Sequence, residues 1–225
     1  MPSYNAIFFD LDNTICEPIQ GREGLLEAAF ERAGVEQFCT VAGLRSASNA
    51  VVDADTDEEY FEALFAEAAE RAGVDPAVAP ELGAAYLETL DPGAVRFRTG
   101  AEAALEFAAE RGPVGLITNG TEGMQSLKLE ALELTDFFDV TVFVDPRDGI
   151  PPKPNPEPFE AALSGLEVTP GETIHVGDNL HADIGGANAM GMDSAWINLG
   201  FGNPREHEPT YELETLAEFE SVVLQ

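Results

Sequence analysis

The sequence predicts an α/β fold: a doubly wound parallel sheet, interrupted after its first strand by an all-α insertion. Three observations carry this. Short apolar runs alternate with amphipathic stretches, which is the pattern of parallel strands joined by right-handed helical crossovers. Each of the first four runs ends in polar or charged residues, the arrangement of a sheet whose carboxyl edge holds a ligand. The span from Glu17 to Leu90 shows helical periods and no strand, and it is far longer than an ordinary connection. The expected division is residues 1–16 and 92–225 as an α/β catalytic core, with residues 17–91 as a helical cap placed as a lid over the strand ends.

Taken in order, Ala6-Ile-Phe-Phe9 is a buried strand that stops at Asp10 and Asp12, with a hydroxyl at Thr14. The insertion opens with a helix over Gly24 to Ala33, where Leu25, Leu26, Ala29 and Phe30 recur at helical spacing and Gly34 ends it. A weaker helix covers Val41 to Val52. Thr56-Asp-Glu-Glu59 reads as a capping box for a helix with Tyr60, Phe61, Leu64, Phe65 and Ala68 inward, ending at Gly73. Asp75-Pro76 starts another helix, which runs to about Leu90. The core resumes with a helix capped by Thr99 over Gly100 to Arg111, then the strand Val114 to Ile117, which ends in Thr118-Asn-Gly120. A helix from about Glu122 to Leu134 leads to the strand Val140 to Val144. A proline-dense loop from Asp145 to Pro158 precedes a helix to Leu166. The strand Thr173 to Val176 ends in Gly177-Asp178 and is followed by a helix over His181 to Met190. Ala195 to Ile197 is the fifth strand, and a final helix covers about Glu212 to Leu224.

Composition narrows the function classes. The 225 residues carry Asp+Glu 42 against Lys+Arg 11, a net charge of -31. No basic patch survives that balance, so a nucleic-acid partner is not expected. The acid is spread along the whole chain and lysine occurs only at positions 128 and 153. This is the pattern of a solvated surface adapted to concentrated salt, where self-repulsion is screened. Cys16 and Cys39 make no disulfide framework and read as reduced, buried residues; with no His or Lys nearby in sequence, Cys16 is not read as a nucleophile. No basic, apolar leader and no run of membrane-spanning length is present, so a cytoplasmic location with no membrane partner is expected.

The strand ends collect the chemistry. Asp10 and Asp12 follow the first strand. Thr118 ends the second beside backbone N–H groups at a helix start, which suit an anion. Lys153 follows the third on a loop that prolines stiffen. Asp178 follows the fourth, with Asp183 five residues on. Each piece alone has a bland reading: a chance Asp-x-Asp in an acidic chain, a turn, a surface lysine, a helix cap. In order, each at a strand end, they describe one site. Four carboxylates, a lysine and a hydroxyl suit a hard divalent cation, and Mg²⁺ is commonly shared between carboxylates and a substrate phosphate. His175, inside the fourth strand, and Trp196, in the fifth, read as packed core; His181 and His207 read as surface. Arg22 and Arg45 of the cap are candidates to meet a substrate anion, although a surface ion pair is the favoured reading of both.

This ordered set resembles the haloacid dehalogenase (HAD) superfamily of phosphohydrolases over almost the whole chain. Asp10-Leu-Asp-Asn-Thr14 is similar to the first motif, Thr118-Asn119 to the second, Lys153 to the third, and Gly177-Asp178 with Asp183 to the fourth. Lys153-Pro-Asn155 differs from the family's commoner Lys-Pro-Asp. The resemblance implies a Mg²⁺-dependent phosphomonoester hydrolase acting on a small phosphorylated metabolite, such as phosphoglycolate, a sugar phosphate or a nucleotide. Asp10 would be the nucleophile that forms an aspartyl-phosphate, and Asp12 the general acid, then base. Thr118 and the Asn119 backbone N–H would bind phosphoryl oxygens, and Lys153 would neutralise charge. Asp10, the Asp12 carbonyl and Asp178 would hold the metal, with Asp183 supporting it or ligating through water. The presence of Asp12 separates the chain from dehalogenases, and an insert without lysine separates it from phosphonatases. A sugar-phosphate mutase and a catalytically idle binding module are the alternative readings. Neither the exact substrate nor the oligomeric state is legible.

Overall fold

The computed structural model of the protein describes residues 4–48, 50–51, 54, 56–144, 150–200 and 207–223. The start of the proline-dense loop, residues 145–149, lies outside the described residues, as do the far ends of two expected helices, Val52 and Leu224. The chain divides into two compact units, Met1–Glu17 with Val95–Gln225, and Pro18–Ala94.

The first unit is built on β1 (Ala6–Phe9). Its side chains alternate between faces, as a pleated strand requires. Ile7 and Phe9 join one apolar cluster, and Ala6 and Phe8 join another. Neither face of the sheet is left to solvent. After β1, the chain forms β2 (Cys16–Pro18) and then enters the second unit, with α1 (Arg22–Ala33), α2 (Val41–Ser48), α3 (Asp57–Ala72) and α4 (Ala79–Thr89). It returns through β3 (Val95–Phe97), α5 (Ala101–Ala109), β4 (Val114–Thr118), α6 (Glu122–Ala131) and β5 (Val140–Phe143). Then come α7 (Pro156–Gly165), β6 (Thr173–Gly177), a wide π-helical turn over Leu180–Gly185, α8 (Gly186–Met190), β7 (Asp193–Ile197), β8 (Tyr211–Leu213) and α9 (Phe219–Val223).

Six strands form one sheet in the order β5-β4-β1-β6-β7-β8, and every neighbouring pair is parallel. The chain steps outward from β1 to β4 and β5, then crosses back to place β6 on the other side of β1. The topological switch point therefore lies at the carboxyl end of β1, where open α/β sheets bind their ligands. One face is covered by residues such as Leu105, Leu129 and Phe219, the other by Phe159, Leu163 and Ala187.

The expected strands and most helices are present, with three differences. The stretch around Glu212 is the edge strand β8 and not part of a helix; only Phe219–Val223 is α-helical there. The pairing of Ala195 with Tyr211 and Ile197 with Leu213 decides it, a tertiary contact that overrides local helix preference. The short strands β2 and β3, not anticipated, pair as a separate two-stranded sheet, and Glu17 bridges Arg96 at 2.7 Å and Arg98 at 2.8 Å. Thr99 does not cap α5; Gly100 takes that place at φ 83°, packed against the backbone of Ala217.

The second unit has its own core. Leu26, Phe30, Leu44, Leu64, Phe65 and Leu82 are buried together. Thr56 caps α3 by accepting the Glu59 backbone N–H at 3.1 Å. Gly34 and Gly73 end α1 and α3 in the left-handed conformation that side chains avoid.

Candidate active site

Asp10 sits one residue beyond β1, and its backbone N–H donates to the Val176 carbonyl at 2.9 Å, so the neighbouring strand fixes where its carboxyl emerges. Lys153 arrives from the segment before α7. Its Nζ is buried and donates to Asp10 Oδ1 at 2.9 Å, to Asp183 Oδ1 at 2.6 Å and to the Ile117 carbonyl at 2.6 Å. Three donors with three acceptors leave the ammonium fully satisfied. Its backbone is held just as firmly: Asn119 accepts the Lys153 N–H at 2.9 Å through Oδ1 and donates Nδ2 to the Lys153 carbonyl at 3.1 Å. The loop after β4 thus clamps the loop that carries the lysine.

Asp183 lies in the π-helical turn, buried to 1% exposure. Its Oδ1 faces Lys153 and His175 Nε2, the latter at 3.1 Å, and its Oδ2 accepts the Asn179 backbone N–H at 3.0 Å. Gly177 makes the approach possible, because a Cβ there would stand 2.5 Å from Asp183 Oδ2. Asp178 follows Gly177, and its carbonyl accepts the Trp196 Nε1–H at 2.9 Å.

The electrostatics follow from burial. Removal from water pushes the Asp10 carboxyl up to about 7; the charges of Asp183 and Asp12 add to this, against the pull of Lys153. Burial also opposes ionisation of Asp183, but Lys153 and the His175 hydrogen bond outweigh it and hold Asp183 well below the usual carboxylate range. Lys153 is likewise burdened by desolvation, yet its two carboxylates raise it above an ordinary lysine. Burial lowers the pKa of His175 despite Asp183, so the ring is neutral and donates from Nε2. Its Nδ1 finds no hydrogen-bond partner among the described residues.

Asp10, Asp178 and Asp183 each offer a carboxylate oxygen, and these oxygens lie within 4.8 Å of one another. One lysine cannot offset three such charges, and an all-oxygen donor set of this kind fits a hard divalent cation.

Asp12 stands apart from this cluster. Both its oxygens accept from Lys128 Nζ at 2.7 Å, and Oδ2 also accepts from Gln125 Nε2 at 2.9 Å. The same Nε2 donates to Thr118 Oγ1 at 3.1 Å. Thr118, the last residue of β4, is buried, as is Thr14, whose hydroxyl finds no partner among the described residues. Cys16 is buried as expected; burial, reinforced by Asp12, pushes its thiol up to about 12, against nucleophilic use.

Asp10, Lys153, Asp178 and Asp183 thus converge as the sequence predicts, and Asp12 and Thr118 meet through Gln125. Asn119 contributes a side-chain clamp that sequence reading did not anticipate. Three further residues of the site carry no strand-end signal in the sequence pattern: Gln125 and Lys128 on α6, and His175, which is core but also bonded to Asp183. The scarcity of lysine was the one signal that pointed to Lys128, since both lysines of the chain end on the two aspartates of one motif.

Comparison with known proteins gives the family of the chain. The description "haloacid dehalogenase-like hydrolase" matches residues 4–191, and the chain belongs to that family. It is 42% identical over 86 residues to a glyceraldehyde 3-phosphate phosphatase of Pyrococcus furiosus, covering 38% of this chain and 35% of that one. It is 32% identical over 124 residues to the pyrophosphatase PpaX of Bacillus mycoides, covering 54% of this chain and 57% of that one. The matches span little more than half of these relatives at most. Among solved structures, YfnB from Bacillus subtilis, bound to magnesium, superposes with a TM-score of 0.76 at 23% identity over 98% of both chains, a likeness of fold. Among the described residues, no helix is long and apolar enough to cross a membrane.

Proposed function

We propose that the protein is a Mg²⁺-dependent phosphomonoester hydrolase for a small phosphorylated metabolite, working through an aspartyl-phosphate on Asp10. The observation that carries this reading is the buried Lys153 Nζ, held between Asp10 and Asp183 in a set of three carboxylates. A carboxylate attacks phosphorus only when its charge and that of the phosphoryl group are offset, and this arrangement supplies a fixed cation for that purpose. Asp10, Asp178 and Asp183 would hold Mg²⁺, with the Asp12 carbonyl as a further donor; when bound, the ion would polarise the phosphoryl oxygens and add the missing positive charge.

The residues then divide the work. Asp10 attacks phosphorus as the ester P–O bond breaks, and Asp12 gives its proton to the departing oxygen. Asp12, now a carboxylate, takes a proton from water as that water's oxygen attacks the aspartyl-phosphate; phosphate leaves and Asp10 is restored. Thr118 accepts its hydrogen bond from Gln125, so its own O–H is directed to a phosphoryl oxygen. The Asn119 backbone N–H, at the start of the loop before α6, serves the same group. The helical unit selects the leaving group, and the net charge of -31 fits a cytosol rich in salt.

The test is phosphate release from p-nitrophenyl phosphate and a panel including phosphoglycolate, glyceraldehyde 3-phosphate, sugar phosphates, nucleoside monophosphates and pyrophosphate. It is run with Mg²⁺ or EDTA, in low and molar KCl. Release that needs Mg²⁺ is the expected result. No release at either salt from folded protein would remove the hydrolase reading.

A further inference from the structure

We propose that Lys128 and Gln125 are positioning residues that aim the Asp12 carboxyl for its two proton transfers, an inference that rests on the hydrolase reading above. Lys128 and Gln125 lie three residues apart on α6, hence on one helix face, the face turned toward the β1 loop. Lys128 Nζ meets both oxygens of Asp12 at 2.7 Å and centres the carboxyl on the ammonium, while the Gln125 bond to Oδ2 alone sets which way the carboxyl turns.

The burial runs opposite to that of a surface ion pair. The Lys128 side chain is 15% exposed and the Asp12 side chain 40%, so the cation lies beneath and the carboxyl stays open on its outer side. Gln125 is 2% exposed, and its single Nε2 joins Asp12 Oδ2 to Thr118 Oγ1. Gly120 leaves the room for it, because a Cβ there would collide with the Gln125 amide. One amide therefore sets the spacing between the proton carrier and the hydroxyl that binds the phosphoryl group. Asp12 itself lies on an irregular loop next to Asn13 at φ 62°, so the backbone alone does not fix its side chain. A group that must reach first the ester oxygen and then water within one turnover needs such a guide, because small misplacement is costly.

Leaving-group dependence separates guidance from ordinary structural support. Phenolate leaves poorly, with a conjugate-acid pKa of about 10, and needs the proton from Asp12. p-Nitrophenolate departs without it. kcat/KM reports the steps through leaving-group departure, so the ratio of phenyl to p-nitrophenyl phosphate reads the proton transfer alone. For Lys128→Met this ratio is expected to fall about tenfold or more, out of the 10²–10⁴-fold that a positioned proton carrier supplies. Gln125→Leu should shift it in the same direction, and Lys128→Arg should recover most of it. Circular dichroism confirms folding, and Lys128→Gln replaces Lys128→Met if the latter does not fold. Equal losses on both esters, or no loss on either, would overturn the inference while leaving the hydrolase reading intact. A wild-type protein inactive on both esters with Mg²⁺ would instead remove the hydrolase reading, and this inference with it.

Discussion

Replacing Gly177 with alanine probes a close packing contact in the site. The residue is in β6, where alanine suits the backbone, so any effect comes from the added methyl group. That methyl would stand 2.5 Å from Asp183 Oδ2, and closer to Cβ and Cγ, where ordinary contact begins at 3.4 Å. Asp183 must therefore withdraw by 1.1 Å, the difference between 3.4 Å and the 2.3 Å to its Cγ. Its turn cannot follow freely, because Leu180, Ala182 and Ile184 are all buried. A retreat of that size stretches the 2.6 Å bond from Lys153 and the 3.1 Å contact with His175 beyond hydrogen-bonding length. Overpacking costs about 1–3 kcal/mol, and a weakened charged hydrogen bond adds about 1–2 kcal/mol. A melting temperature lower by roughly 5–15 °C follows for a chain of this size. Displacing one carboxylate of the candidate metal set should also weaken Mg²⁺ binding by about 10–100-fold. Thermal unfolding and calorimetric Mg²⁺ titration measure both. A Gly177→Ala protein with unchanged melting and Mg²⁺ affinity within about twofold of wild type would refute the reasoning about this contact.

Three further outcomes follow from the charges. Because Asp10 is pushed up to about 7, Mg²⁺ must displace a proton below that pH, and its apparent affinity should weaken about tenfold between about pH 8 and 6; a flat profile by titration calorimetry would contradict this. In the metal-free protein, the same raised pKa means the folded state keeps a proton that the unfolded chain loses first, so this contribution to stability is full below about pH 4 and is lost as pH rises through about 7. Lys153→Met leaves Asp10 and Asp183 facing each other without their shared cation, which should abolish turnover and cost about 3–5 kcal/mol in denaturant unfolding; a variant of wild-type stability would show that the lysine is not the keystone of the site.

The parts of the site that were legible in the sequence are those where local pattern and chemistry coincide. Asp10, Thr118 and Asp178 each stand at the end of an apolar strand, and a parallel sheet brings such ends to one edge whatever lies between them. Lys153 was legible because prolines surround it and lysines are scarce. Gln125 and Lys128 were not, because a polar pair on an amphipathic helix has the appearance of an exposed face, and their partner Asp12 lies 113 and 116 residues away. His175 hid in an apolar strand for a related reason: only the fold brings the π-helical turn back over it. The edge strand β8 has the sequence appearance of helix because three residues are too few to show a period of two, and its pairing with β7 is a long-range contact.

The central claim is that Asp10 is the group that receives the phosphoryl unit. It is tested most directly by phosphate release from the best substrate of the panel, comparing wild type with Asp10→Asn, both shown folded by circular dichroism, with Mg²⁺ and with EDTA. The account predicts release only from wild type and only with Mg²⁺. Release that persists in folded Asp10→Asn, or in EDTA, would contradict it.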